Sequence, residues 1–112
     1  MPKKSVGCHV ETTLRVIDGR WRVMILHELF PGTKRFGELR RALAGITHRT
    51  LTQNLRDLES LGIVSRTVHA VVPPHVDYAL TPLGKSLKPI LEAMHSWGEV
   101  QGRRLPKRPP AA

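Results

Sequence analysis

A single cysteine, Cys8, stands in the 112 residues, so no internal disulfide framework can form and the chain suits a reducing compartment. Long apolar runs are missing too. None approaches the roughly 18 residues that a membrane span needs, and the N-terminus lacks the apolar core of a signal peptide; a cytoplasmic protein is expected. No segment repeats. No motif gathers a nucleophile, a base and an orienting acid, so an enzyme is not expected. The six histidines form no H-x-x-x-H pair: His27, His48, His69, His75 and His95 scatter over different elements, and Cys8 has only His9 beside it. Neither a metal site nor a cofactor follows from that pattern. Acidic residues are scarce, nine Asp and Glu against 18 Lys and Arg, which leaves a net charge of +9. Such an imbalance favours a polyanionic partner through counterion release, nucleic acid first and an anionic membrane surface second.

What is present is enough for one folded domain, since 40% of the residues are hydrophobic. Residues 1–7 are polar and basic and read as a mobile arm. Val10, Leu14 and Ile17 follow helical spacing over residues 8–17, and Asp18-Gly19 interrupts it. A second helix is predicted over 20–30, with Trp21, Ile25 and Leu29 on one face and Val23, Met24, Leu26 and Phe30 widening it. So broad an apolar surface implies a central position. Pro31-Gly32 stops that helix, residues 33–35 carry the chain onward, and a third helix over 36–44 turns Phe36, Leu39 and Leu43 inward before Gly45 ends it.

Residues 46–62, ITHRTLTQNLRDLESLG, organise the rest. Leu51, Leu55 and Leu58 line one helical face, while Arg49, Gln53, Arg56 and Ser60 repeat the spacing on the other. Thr47 is the expected N-cap and Gly62 the residue that turns the chain out of the helix. Arg and Gln suit major-groove edges of guanine and adenine, and Thr and His near a helix start suit phosphate oxygens. The spacing therefore reads as a recognition helix over 47–61, the second half of a helix-turn-helix; the plainer alternative is an amphipathic surface helix. Asp57 and Glu59 are expected to pair with Arg on the same helix surface.

Beyond Gly62 the period changes to two. Val76, Tyr78 and Leu80 alternate with His75, Asp77 and Ala79, and the β-branched residues 63–72 offer a partner strand, with Pro73-Pro74 in the connection. A hairpin over 64–80 is predicted, its long tip carrying Arg66, His69 and His75. Thr81-Pro82 restarts a helix, and Leu83, Leu87, Ile90, Leu91, Met94 and Trp97 form a stripe along it, broken or kinked near Lys88 by Pro89. Either a partner subunit or the chain's own core covers that stripe. Residues 102–112 are Pro- and Arg-rich and read as a disordered basic tail, which leaves one domain over 8–101.

Mainly α with a small β-hairpin, in this order, is the layout of a winged helix-turn-helix. The sequence resembles the HxlR-type transcriptional regulators, related to the MarR group. The pieces that carry the resemblance are Cys8 with Glu11, Gly19-Arg20-Trp21, Arg35-Phe36-Gly37-Glu38-Leu39-Arg40, Ile46-Thr47-His48-Arg49-Thr50-Leu51-Thr52, Leu55-Arg56-Asp57-Leu58-Glu59, Gly62-Ile63-Val64-Ser65-Arg66, Val76-Asp77-Tyr78-Ala79-Leu80-Thr81, and Gly84 with Trp97. The resemblance implies a homodimer through the first and last helices, on a double-stranded DNA operator of two half-sites, usually for repression and sometimes for activation. It places Thr47, His48, Arg49, Thr50, Thr52, Gln53 and Arg56 against DNA and Arg35 on phosphate. Arg66 and the hairpin tip with His75 would form a wing on the backbone or minor groove. His9 follows Cys8 where the family often has proline, and the stretch after Trp97 has no counterpart.

Cys8 lies near the start of the first predicted helix, with Lys3, Lys4 and His9 close by, and helix dipole and positive charge would favour its thiolate. Some regulators of this family use such a cysteine, so the resemblance implies a redox or electrophile sensor answering to an oxidant or small-molecule effector; the alternative is an inert, partly buried thiol. Three functions follow: a sequence-specific dimeric regulator, a basic nucleic-acid-binding protein indifferent to sequence, and a winged-helix module that binds protein.

Overall fold

The computed structural model describes residues 9–106. Cys8, the predicted arm at 1–7 and residues 107–112 lie outside them. Helices α1 (Val10–Ile17) and α2 (Arg22–Leu29) lead to a two-residue strand, β1 (Lys34–Arg35), then α3 (Phe36–Ala42) and α4 (His48–Ser60). Strands β2 (Val64–His69) and β3 (His75–Leu80) form the hairpin; α5 (Pro82–Lys85) and α6 (Lys88–Gln101) follow, and one 3-10 turn, Gly102–Arg104, extends α6 into the stretch expected to be irregular.

The apolar periodicities set the core. Ile25, Leu26 and Leu29 of α2 meet Leu39 and Leu43 from α3 and its end, Leu51, Leu55 and Leu58 of α4, and Val64, Leu80, Leu87 and Leu91. All three leucines of α4 are buried. Burying such a side chain contributes about 1.5–3 kcal/mol, enough to fix which way the opposite face points.

The helices are shorter than predicted at several ends. α1 starts at Val10, α2 at Arg22 and α3 stops at Ala42. Arg20 lies instead over the Trp21 ring, 4.5 Å from its centroid. The break near Lys88 falls as expected, with Pro89 in the first turn of α6, where its missing N–H costs nothing. One strand was not foreseen. β1 pairs antiparallel with β3, Lys34 opposite Tyr78 and Arg35 opposite Asp77, giving a three-stranded sheet in the order β1-β3-β2. Two residues are too few to show an alternation.

The end of α4 and the base of the hairpin are fastened together. Gly62, with φ +77°, lets its N–H reach Glu59 O at 3.0 Å while Ile63 N–H reaches Leu58 O at 2.9 Å, the paired bonds of a Schellman motif. Thr81 then donates its hydroxyl to Gly62 O at 2.6 Å, its N–H to Ile63 O at 3.0 Å, and accepts from Gly84 N at 3.0 Å as the cap of α5. Gly84 is buried against Ile63, and a β-carbon there would collide with the Ile63 carbonyl oxygen. Gly84→Ala is accordingly expected to cost about 1–3 kcal/mol, read as a lower urea midpoint with an unchanged slope.

The apolar stripe of the last helix divides. Leu87 and Leu91 pack on the core, whereas Ile90, Met94, Trp97 and Val100 of α6 are exposed, as are Val10 and Leu14 of α1. No helix of the described residues is long and apolar enough to cross a membrane.

Candidate nucleic-acid interface

Where α3 gives way to α4, Gly45 takes φ +93°, a left-handed turn that a side chain would disfavour. Thr47 caps α4 as predicted: its hydroxyl oxygen accepts from Thr50 N at 3.1 Å and its O–H lies 2.9 Å from Thr50 Oγ1. Thr47 and Thr50 thus spend polar atoms on the cap, and Asn54 braces the same turn by donating to Thr50 O at 2.8 Å. His48 packs its ring on Phe36, centroids 4.8 Å apart, with Nδ1 3.5 Å from Thr52 Oγ1. Of the predicted contact residues on α4, His48, Arg49, Gln53 and Arg56 are exposed, and Thr50 and Thr52 are half-buried. Among the described residues no ion pair engages Arg49 or Arg56. Two guanidinium groups therefore stand open on the face opposite the leucines.

Asp57 and Glu59 do not pair along α4. Arg22 of α2 reaches Asp57 Oδ2 through Nη2 at 3.2 Å, while its Nη1 donates to the carbonyls of Arg15 at 2.8 Å and Val16 at 3.2 Å. Asp57 Oδ1 accepts from Gln53 Nε2 at 3.0 Å. A chain of contacts thereby runs from the end of α1 through Arg22 and Asp57 to Gln53. The Gln53 amide keeps its carbonyl oxygen and a second N–H, the pair that adenine recognition uses. Sequence spacing gave no sign of this, because Arg22 and Asp57 lie 35 positions apart.

Glu59 instead meets Arg66 of β2, Nε to Oε1 at 3.5 Å. Arg66 lines a cleft between α4 and the sheet with Thr52, Arg56 and Tyr78. Burial pushes the Tyr78 phenol above its ordinary pKa, while the Arg66 and Arg56 charges pull it down and Glu59 pushes it up.

The hairpin corrects the predicted tip. Cross-strand pairing continues to His69 opposite His75, so Arg66, His69 and His75 all lie on strands. Residues 70–74, Ala-Val-Val-Pro-Pro, make the turn; they carry no charge, and Val71 and Val72 are exposed. The one cation on the hairpin strands, Arg66, is engaged with Glu59 rather than extended from the end. Arg35 lies exposed where β1 meets α3, its backbone N–H on Glu38 Oε1 at 2.8 Å. His75 does not stand apart. Its ring stacks on His69, centroids 4.5 Å apart, beside Asp77, so two histidines that looked scattered meet across the hairpin.

A helix-turn-helix whose second helix offers a basic polar face, flanked by a three-stranded antiparallel sheet, defines the winged helix-turn-helix class of transcription regulators. The family model described as HxlR-like helix-turn-helix matches residues 16–105, so the stretch after Trp97 has a counterpart as far as residue 105, contrary to expectation, and the chain belongs to that family. It is 50% identical over 98 residues to the HTH-type transcriptional regulator YybR of Bacillus subtilis (strain 168), the match covering 88% of this chain and 78% of that relative. Among solved structures it is similar to the redox regulator HypR in its reduced form, with a TM-score of 0.81 and 47% identity over 84% of this chain and 93% of that one. It is also similar to a regulator of the MarR family from Enterococcus faecalis V583, with a TM-score of 0.77 and 40% identity over 93% and 96% of the two chains. Family and fold are thus those that the sequence implied. The family is one of DNA-binding transcription regulators rather than of enzymes.

Proposed function

We propose that the protein is a sequence-specific repressor that binds double-stranded DNA as a homodimer, with one α4 per subunit in the major groove of each operator half-site. The observation that carries the reading is the division of α4: Leu51, Leu55 and Leu58 are buried while Arg49, Gln53 and Arg56 are exposed on the other side. Arg49, Gln53 and Arg56 read base edges; Thr47, His48, Thr50, Thr52 and Arg35 serve phosphates; the hairpin lies along the backbone or minor groove. Arg66 acts there by holding β2 to α4 through Glu59. His75 belongs to the outer sheet face of that wing.

Genomic fragments bound by the purified protein would be selected, and affinity for the enriched site compared with random DNA across a salt series. A preference on the order of a thousandfold or more supports a sequence-specific regulator. A preference near one, with a steep salt slope for both, points to a basic protein indifferent to sequence, the reading that the +9 charge alone would favour. A reporter fused to the selected site distinguishes repression from activation by its direction of change when the protein is removed.

We further propose that Cys8 makes operator binding responsive to oxidants. Support comes from the similarity to HypR, a redox regulator also solved in an oxidized form, 48% identical over 83% of this chain. With one cysteine per chain, two Cys8 thiols from two subunits would join as a disulfide, giving two protons and two electrons to diamide, whose N=N bond is reduced to the hydrazine. Diamide is expected to lower operator occupancy at least tenfold in the wild type, to be reversed by dithiothreitol, and to leave Cys8→Ser unaffected in a gel-shift assay. Equal release of the two proteins would remove Cys8 from the response.

A further inference from the structure

The outer face of the hairpin gathers three titratable side chains away from the base-reading face proposed for α4. His69 and His75 are directly opposed in register, and Asp77 lies two residues beyond His75 on the same side of β3. That side is opposite the one on which Val64 and Leu80 enter the core. His69 Nε2 is 2.8 Å from Asp77 Oδ2, and His75 Nε2 is 3.9 Å from Asp77 Oδ1. One ligand atom from each of the three residues lies within 4.8 Å of the others. The side chains are 38%, 25% and 25% exposed, which leaves a path from solvent.

We propose that His69, His75 and Asp77 form a binding site for one zinc-class divalent cation per chain. Bonds of about 2.0 Å in a tetrahedron set ligand atoms roughly 3.3 Å apart, so the three need shifts of an ångström or so to close on an ion, with water as fourth ligand. A carboxylate hydrogen bond explains His69 alone. Stacking on His69 sets the second imidazole beside it and brings its Nε2 to 3.9 Å from the same carboxylate, beyond hydrogen-bonding reach but within the closing distance of a shared ion. Two imidazole nitrogens with one carboxylate match zinc; calcium and magnesium call for more oxygen ligands. From the neighbouring strands Arg35 faces Asp77 on one side and Thr67 on the other, and among the described residues Arg35 makes no ion pair with Asp77. On binding, each imidazole takes the neutral tautomer with its hydrogen on Nδ1, both Nε2 atoms donate lone pairs to the ion, and the cation ties together the last paired position of the hairpin.

The test uses the full chain stripped with EDTA, titrated with zinc chloride in a calorimeter. One zinc per chain is expected, with affinity lowered about tenfold or more in His75→Ala and Asp77→Asn and unchanged in Cys8→Ser. Cobalt in place of zinc is expected to give visible d–d bands without a thiolate charge-transfer band. In wild-type NMR spectra the His69 and His75 imidazole signals are expected to shift in step with added zinc, a readout independent of whether the variants fold. The site is overturned by absence of binding, by equal affinity in His75→Ala, by loss in Cys8→Ser alone, or by shifts confined to other histidines. None of these readouts involves DNA, so the result stands apart from operator recognition.

Discussion

Arg49→Ala and Arg56→Ala are each expected to weaken binding to the selected operator by about tenfold to a hundredfold, and to weaken binding to random DNA much less. A well-placed bidentate contact to a base discriminates by about 1–3 kcal/mol, and each 1.4 kcal/mol is a factor of ten. Both side chains are exposed and unpaired with acids among the described residues, so truncation orphans no internal charge. Folding stability should therefore stay within about 0.5 kcal/mol of the wild type, which separates a reading defect from a folding defect. A lost base contact also relaxes preference at one position of the half-site, visible by repeating the selection with each variant. If either variant lost operator and random DNA affinity in equal proportion, that arginine would be touching phosphate, and the assignment of a base-reading role to it would be wrong.

Trp97→Glu is expected to turn the proposed dimer into a monomer and to lower affinity for the full operator about a hundredfold or more. Ile90, Met94, Trp97 and Val100 recur at helical spacing on α6 and are 41%, 48%, 59% and 66% exposed, while Leu87 and Leu91 alone turn inward. Fully burying a large apolar side chain contributes about 1.5–3 kcal/mol, so these four, roughly half exposed, have about half of that each still to gain from the same stripe of a second subunit. A carboxylate placed in that contact must be desolvated without a partner. Once separated, each subunit loses the high effective concentration that its partner's bound half-site provides. Affinity for an isolated half-site should stay the same, since Trp97 and α4 lie in different elements. Sedimentation of the two proteins together with both DNA lengths gives the answer. A wild-type monomer, or a Trp97→Glu dimer of undiminished affinity, would rule out this face as the subunit contact.

The helical half of the molecule was legible because its signals are local. The leucine repeat of α4, the Thr47 cap and the Gly62 exit each need only a few residues of context, and each appears where expected. Features made by long-range register were not legible. β1 is two residues long and acquires its meaning from Tyr78 and Asp77, more than forty positions on. Arg22 meets Asp57 only after α2 and α4 have packed, and Glu59 finds Arg66 only once β2 is laid beside α4. The two histidines of the hairpin illustrate the same limit. His69 and His75 are six residues apart, a spacing without meaning in a helix, and only the register of β2 on β3 puts them face to face. The sheet also explains the misplaced tip: pairing as far as residue 69 leaves just residues 70–74 to turn.

The knot of bonds among Gly62, Ile63, Thr81 and Gly84 makes reading helix and hairpin a single rigid calliper. Its two jaws are joined at that base, and the short uncharged turn at 70–74 lies exposed at the far end of one of them. On the proposed mode of binding, a duplex would be gauged for width as well as for letters: a half-site with the correct bases but an ill-spaced flanking backbone would itself have to bend to fit, and the stiffness of that DNA would enter the affinity.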